Sequence, residues 1–266
     1  MDRTSTVPRW AAGSPLVIHA PTMDDPWRWL ELGWRDLWRN PALSLGYGAA
    51  FVVIGLIVTA GLWYLGLESM APALAAGFTL LGSALAIGLY EMSRRYEAGE
   101  SASLRDVVAI RLPSPPQLAF LAFALMFLFL AWLRLATLNY ALFTHGSYVP
   151  VRNFLGFALT TEEGLTMLVV GTLAGGALAC IAYAISVISV PLLMRHDLDV
   201  FTAIWISVQT VMNHPGPMLL WAWLIAILTA IGLATMFLGL IIVFPLIGHA
   251  TWHAYRTIVA GERSVR

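Results

Sequence analysis

Five stretches of the chain contain no Asp, Glu or Arg: Asn40–Leu67, Ser69–Tyr90, Leu112–Leu133, Gly164–Met194 and Pro215–Tyr255. Together they make up more than half of the 266 residues. A helix of about 20 apolar residues crosses the hydrocarbon core of a bilayer. Hydrocarbon offers no partner to backbone N–H and C=O groups, so a crossing segment is a helix or part of a closed barrel. Barrel strands alternate in polarity over about 10 residues, and these runs do not. The chain therefore reads as an all-α, polytopic membrane helical bundle.

Spans are expected at Leu43–Leu67, Ala71–Tyr90, Gln117–Asn139 and Leu165–Met194. Pro215–Tyr255 is too long for one crossing, and a split near Gly232–Thr235 gives spans at Met218–Ile231 and Met236–Tyr255. Orientation favours this six-span reading, because segments facing the cytoplasm carry the excess of Lys and Arg. Every basic residue here is Arg. Six spans put Arg3, Arg9, Arg28, Arg35, Arg39, Arg94, Arg95, Arg105, Arg111, Arg195, Arg256, Arg263 and Arg266 on one side. The other side keeps Arg152 and, near the end of its span, Arg134. The expectation is six transmembrane helices in three hairpins, both termini cytoplasmic, in a bacterial inner membrane.

Met1–Thr22 has no run of 7–15 apolar residues such as a secretory leader requires, so residues 1–24 read as a mobile arm. Residues 25–40 read as an interfacial amphipathic helix, with Asp25 as cap and Pro26 at its first position. Trp27, Leu30, Trp34, Leu37 and Trp38 recur at helical spacing, and Arg28, Glu31, Arg35, Asp36 and Arg39 fill the other face. Tryptophans anchor such helices in the headgroup layer, so Trp27, Trp34 and Trp38 are the expected anchors. Docking of this helix onto another protein or onto the bundle is the alternative. Ser103–Arg111, opened by a capping box of Ser103 and Asp106, and Asp199–Asn213 are two further short helices of this kind. Residues 41–257 form the six-span domain and 258–266 a cytoplasmic tail.

Small residues at four-residue spacing mark faces for close helix contact: Gly171, Gly175 and Ala179; Ala73 and Gly77; Ala226, Ala230 and Ala234. Thr160 and Glu163 have the spacing of a capping box for span four. Pro191-Leu192-Leu193 and Pro245-Leu246-Ile247 fall near the same end of spans four and six. They hint at a parallel repeat of hairpins, as transporters use, with prolines that bend the helices.

Few polar residues in this chain point to chemistry. His249 and His253, four apart on one helical face, have the spacing of a metal pair. The Glu of a zinc-protease motif is missing, because Ala250 follows His249. Glu91, Arg94 and Arg95 at the end of span two, with Arg195, His196 and Asp197 at the end of span four, form a candidate cytoplasmic polar cluster. Its roles are a vestibule for a substrate or partner, or a set of local ion pairs. The single cysteine, Cys180, lies mid-span and reads as a packing residue. Zero formal net charge gives no global attraction for nucleic acid. Only 11% of residues are charged, against about 25% in soluble domains. No glycine-rich loop followed by Lys and no Gly-x-Ser-x-Gly elbow occurs. The expectation is no enzyme, no cofactor, and the bilayer as first partner, with another membrane protein or a second copy as further partners.

One set of motifs resembles a family of uncharacterised proteobacterial integral membrane proteins, a domain-of-unknown-function group. It comprises Gly33-Trp34-Arg35-Asp36-Leu37, Pro41, Leu43-Ser44-Leu45-Gly46-Tyr47-Gly48, and Gly88-Leu89-Tyr90-Glu91 followed by Ser93-Arg94-Arg95, Glu97 and Gly99-Glu100. It continues with Ser189-Val190-Pro191-Leu192 and Pro245-Leu246-Ile247-Gly248-His249-Ala250-Thr251-Trp252-His253-Ala254-Tyr255-Arg256. The resemblance spans nearly everything after the arm and implies no assigned activity. Some members carry the label cytochrome c oxidase subunit I. True oxidase subunits resemble a twelve-span bundle with six haem and copper histidines. Only His249 and His253 of the six histidines here lie in a span, so that label is not carried over. An accessory or scaffold membrane protein is the leading expectation. A small transporter or permease-like protein comes next, and a haem- or metal-binding subunit third.

Overall fold

The computed structural model describes residues 5–6, 17–67, 70–146 and 149–260. The described elements are β1 Ser5–Thr6, β2 Val17–Ile18, α1 Asp25–Arg39, α2 Pro41–Tyr64, α3 Ala71–Leu85, α4 Ile87–Glu97, α5 Leu104–Val108 and α6 Pro115–Phe143. They continue with α7 Val151–Thr160, α8 Glu162–Ser186, α9 Ser189–Arg195, α10 Val200–Asn213, α11 Pro215–Ala234, α12 Leu240–Ile258 and β3 Val259–Ala260. Among the described residues five segments are long and apolar enough to cross a membrane: Pro41–Tyr64, Ala71–Glu97, Pro115–Phe143, Glu162–Arg195 and Pro215–Ala234. The segment expected as a sixth span folds as α12, which is not among these five. It is apolar only in its first half; His249, His253 and Arg256 occupy the second.

Local chemistry accounts for the helix boundaries. Asn40 caps α2 by accepting from the Leu43 N–H at 3.2 Å, and Pro41 follows at the first position. The Ser103–Asp106 capping box opens α5 as expected. Asp199 caps α10 by accepting from the Thr202 N–H at 2.9 Å. Two expected caps are corrected. Asp25 is the first residue of α1, and its carboxylate turns back to the Thr22 N–H. The cap of α8 is Thr161, not Thr160, because an additional short helix, α7, runs through Thr160.

Spans two and four are each broken near one end. At Leu85 the carbonyl accepts from the Tyr47 hydroxyl at 2.7 Å, while the Leu89 N–H turns to Ala86 O at 2.9 Å. A side chain inserted into the helical ladder in this way separates α3 from α4. Between α8 and α9, Pro191 brings no N–H for the Val187 carbonyl, and the Ile188 N–H donates to Ser207 Oγ at 3.2 Å. The turn between α11 and α12 places Met236 and Phe237 at φ 54° and 69°, held by Thr235 Oγ1 accepting from the Gly239 N–H at 2.7 Å.

Packing is concentrated at one end of the molecule. There α1, α4, α9, α10 and the second half of α12 enclose Trp29, Leu89, Tyr90, Met92, Ile188, Leu192, Trp221, Trp252 and Tyr255. The far halves of the spans are exposed, at Ile57, Trp63, Leu138 and Leu173 among others. In a bilayer, lipid covers such surface. A smaller cluster of Leu80, Leu125 and Ala182 joins α3, α6 and α8. Beside it Trp132 donates to the Ala73 carbonyl at 2.7 Å. Its indole lies against Gly77 and Gly175, at 2.8 and 2.7 Å from where a Cβ would stand. Those two small-residue faces thus serve contacts within the chain, whereas Ala226, Ala230 and Ala234 are exposed.

Part of the expected mobile arm is held in place. Val17–Ile18 pairs antiparallel with Val259–Ala260, and the His19 N–H donates to Ile258 O at 2.8 Å. Residues 1–4 and 7–16, and the tail beyond 260, lie outside the described residues. Gly175→Val drives a branched side chain into the Trp132 indole. It is expected to cost about 1–3 kcal/mol, as overpacking does, and to lower the thermal midpoint in detergent. Gly176→Val, with nothing within 4 Å of its Cβ position, leaves the midpoint unchanged.

Candidate functional site

With successive residues about 100° apart around a helix, α1 has three faces rather than two. Pro26, Trp29, Gly33, Asp36 and Leu37 are buried against the bundle. Trp27, Trp34 and Trp38 form an exposed second face, the last two in edge contact at 5.6 Å between ring centroids. Arg28, Glu31, Arg35 and Arg39 form an exposed third. The helix therefore docks on the bundle, and its expected anchors stay outside. Two assignments to the sequence-derived faces are corrected: Leu37 and Asp36 both turn inward. The reason is Gly33. A Cβ there would stand 2.7 Å from the Ala250 backbone nitrogen, so the missing side chain lets α1 and α12 touch backbone to backbone.

That close approach carries Asp36 into a seam between α1, α2, α4 and α12. The residue is 5% exposed, and its Oδ2 meets Ser93 Oγ at 2.7 Å and His253 Nε2 at 2.8 Å. His249 continues the chain of contacts, with Nδ1 2.8 Å from Ser93 Oγ and Nε2 3.1 Å from Ser44 Oγ. An ionised carboxylate only accepts, so Ser93 and His253 both donate to Asp36. The Ser93 hydroxyl has then spent its proton and must accept from His249 Nδ1–H. His249 Nε2 is left as an acceptor for the Ser44 hydroxyl. One carboxylate thus fixes the proton on each ring nitrogen that faces this network. Burial alone raises the Asp36 pKa; the hydrogen bonds from His253 and Ser93 and the nearby imidazoles outweigh it and hold the carboxyl below its ordinary value.

The network reaches solvent at one side. Leu32, Arg35, Asp36, Arg39, Tyr96, Glu97, Ala98, Gly99 and His253 line a cleft of about 490 Å³. The charged side chains at its rim are already engaged, while the buried Tyr96 hydroxyl has no hydrogen-bond partner among the described residues. Arg39 donates to Tyr96 O at 2.9 Å, and its guanidinium lies 5.5 Å from the Tyr96 ring centroid. Arg35 pairs with Glu31, and Glu97 pairs with Arg256 at 3.0 Å. The cleft is an aqueous approach to Asp36 and His253.

His249 and His253 do sit together, as their spacing implied, but they bind hydroxyls and a carboxylate. Both nitrogens of His249 are occupied. Among the described residues no group of three or more His, Cys, Asp or Glu is arranged to hold a metal ion. The Ser44–His249 contact has the atom types of a hydrolase pair, yet both residues are 0% exposed, so no substrate reaches them. Glu91, Arg94 and Arg95 form a clamp between α4 and α5: Glu91 accepts from Arg94 Nε at 2.7 Å and Arg95 Nε at 3.1 Å, and Arg95 reaches Asp106 at 2.7 Å. Arg195, His196 and Asp197 lie at the end of α9, where the chain turns into α10. Ser44 and Ser93 carried no signal of their own. The sequence clues to Asp36 are its place in the Gly33–Leu37 motif and the stripe Trp29, Gly33, Asp36 and Leu37, at helical spacing around a glycine.

Residues 70–195 match the model of a family described as "Predicted integral membrane protein (DUF2189)". Over those residues, just under half of its length, the chain is similar to that family. The DUF2189 region runs from the start of α3 to the end of α9. It supplies Ser93, Tyr96 and Glu97, while Asp36, Ser44, His249 and His253 come from helices on either side of it. The motifs at Gly88–Glu100 and Ser189–Leu192 fall inside the DUF2189 match, and those at Gly33–Gly48 and Pro245–Arg256 outside it. No curated protein and no solved structure matches the chain.

Asp36→Ala leaves Ser93 and His253 donating to nothing in a buried seam. It is expected to cost about 3 kcal/mol, read from unfolding in detergent. The pH dependence follows from the lowered pKa. The carboxylate's contribution is complete above its unfolded value near pH 4 and is lost as pH falls through the lower folded value. Wild-type protein is expected to lose stability on that acid limb, and Asp36→Asn to show a flatter one.

Proposed function

We propose that the chain is a non-enzymatic accessory or scaffold protein of a bacterial inner membrane, and that its packed end holds a partner protein on the cytoplasmic side. The observation that carries this reading is where the polar chemistry sits. Of the buried titratable groups, Asp36, His249 and His253 are spent on one another and on two serines, holding α1, α2, α4 and α12 in register, and Glu91 is paired with Arg94 and Arg95. The exposed cation-rich face of α1 and the cleft beside it then form a surface built on a rigid base.

The topology supports the cytoplasmic placement. Val17–Ile18 pairs with Val259–Ala260, which supports a reading in which both ends of the described chain lie on one side of the membrane and the number of crossings is even. Five apolar spans therefore call for a sixth, and the 19 residues of α12 reach about 28 Å at 1.5 Å per residue, close to the hydrocarbon thickness of about 30 Å. With six crossings, the arginine-rich segments share the side of the packed end.

The breaks in spans two and four favour a second reading, a small permease-like protein whose bent helices move. The cleft bears against it, because it opens beside α1 and α4 at the packed end and not between the hairpins.

Photo-crosslinking residues placed at Arg35 and Arg39 in native membranes test the scaffold reading. Discrete adducts with another protein are expected from these positions, and none from the lipid-facing Phe123 and Leu138. Adducts absent from all four positions would overturn it. Reporter fusions after residue 260 test the orientation. A carboxyl terminus found in the periplasm contradicts the even count.

A further inference from the structure

The three short amphipathic helices are joined into a ring. At its carboxyl end α1 meets the approach to α5, where Asn40 Nδ2 donates to Ala102 O at 3.4 Å. From α5 the chain leads through residues 109–114 into α6. The first turns of α6 hold the start of α10: Gln117 Oε1 accepts from the Val200 N–H at 2.9 Å, and Phe120 lies 5.8 Å from Phe201 between ring centroids. The far end of α10 runs into α11, whose Gly216 faces the Met23 sulfur at the entrance to α1. Trp221 of α11 meets Trp29 of α1 edge-on at 5.6 Å. The contacts thus return to their starting point, around the packed end of the bundle.

Each helix of the ring turns large apolar side chains outward. These are Trp27, Trp34 and Trp38 on α1, Leu104 and Val108 on α5, and Phe201, Trp205 and Met212 on α10, with exposures from 42% to 78%. Folding does not explain them, since each helix buries another face: Trp29 and Leu37 on α1, Val107 on α5, Val200, Ala203 and Ile206 on α10. Exposed arginines sit close by, Arg28 on α1, Arg105 on α5 and Arg111 just after it. The apolar surface is continuous with a membrane span, because Phe120 is an exposed residue of α6.

We propose that this ring is a lipid-binding collar that seats the packed end in the headgroup layer of one leaflet, with Arg28, Arg105 and Arg111 drawing anionic phosphate headgroups around it. Continuity with the lipid-covered face of α6 selects a bilayer over a protein as the occupant. The pairing of outward aromatics with flanking cations fits the boundary between acyl chains and anionic headgroups. The collar goes beyond the scaffold reading, because it uses the tryptophan face of α1 and the outward faces of α5 and α10; of the cation-rich face of α1 it takes only Arg28, which does not line the cleft.

The test uses the full chain, with Cys180 replaced by serine, in vesicles of equal parts phosphatidylcholine and phosphatidylglycerol. Nitroxide labels are placed singly by Trp34→Cys, Val108→Cys and Trp205→Cys, with Glu31→Cys as a water-facing reference. Accessibility to oxygen and to a water-soluble nickel chelate gives the depth of each label. The three collar labels are expected at one shared depth, about 5–10 Å below the phosphates, with the reference in water. Collar labels as open to the chelate as the reference would overturn the proposal. So would labels shielded in native membranes but open in the vesicles, which assigns the face to a protein. In a second measurement, lipid retained in mild detergent is expected to be enriched in phosphatidylglycerol, and less so for the triple variant R28Q/R105Q/R111Q. Equal enrichment in the variant refutes the headgroup role. Neither readout involves a cytoplasmic partner, so the collar and the scaffold reading fail separately.

Discussion

A carboxylate carried into a helix seam has to be answered there by donors, and Asp36 is answered by Ser93 and His253 from two different helices. The cost of burying an unpaired charge is several times the worth of an ordinary hydrogen bond. The positions of α1, α4 and α12 are therefore coupled: none can shift along another without stranding the charge. The same demand fixes the proton positions on His249 and so extends the coupling to Ser44 on α2. Apolar packing between membrane helices discriminates weakly among registers, because lipid is as good a neighbour as leucine. A charge with a single set of matching donors discriminates strongly.

The rest of the packed end is arranged around that seam. Gly33 and Gly48 give up side chains so that α1 and α2 can approach Ala250 and Ile241 on α12. The Leu85 carbonyl, taken by Tyr47, frees span two to bend into α4 and bring Ser93 to Asp36. Pro191 does the corresponding service for α9, and Ser207 satisfies the amide left behind. These are local departures from regular helix, each with a named side chain that makes it affordable. They fall where the membrane spans give way to the polar end.

The apolar crossings were legible because hydrocarbon demands length and the absence of charge, two properties visible in any linear string. Trp27, Trp34 and Trp38 were legible as an exposed stripe for the same reason of periodicity. Asp36 was not. A two-faced wheel sorts residues by polarity and sends an aspartate to the water side, and nothing in α1 alone announces that Ser93 and His253, more than fifty and two hundred residues away, supply its donors. His249 and His253 were noticed as a pair, but spacing cannot tell a metal from a hydroxyl as the neighbour. The short α7 was missed because its apolar residues are too few to register as a span. Glu91, Arg94 and Arg95 were legible as a cluster, and their role in clamping α5 depended on Asp106, which had been read only as a cap.

The meeting of β2 with β3 has a further meaning. A chain whose two ends are stitched by backbone hydrogen bonds is close to a closed loop, so the helices are threaded on a circle more than on a line. On a circle no helix is terminal, and α1 and α12 are as much neighbours in sequence as any hairpin pair. With the small sheet closed, Asp36 and His253 are joined by a short path through β2 and β3, so holding them together closes only a small loop.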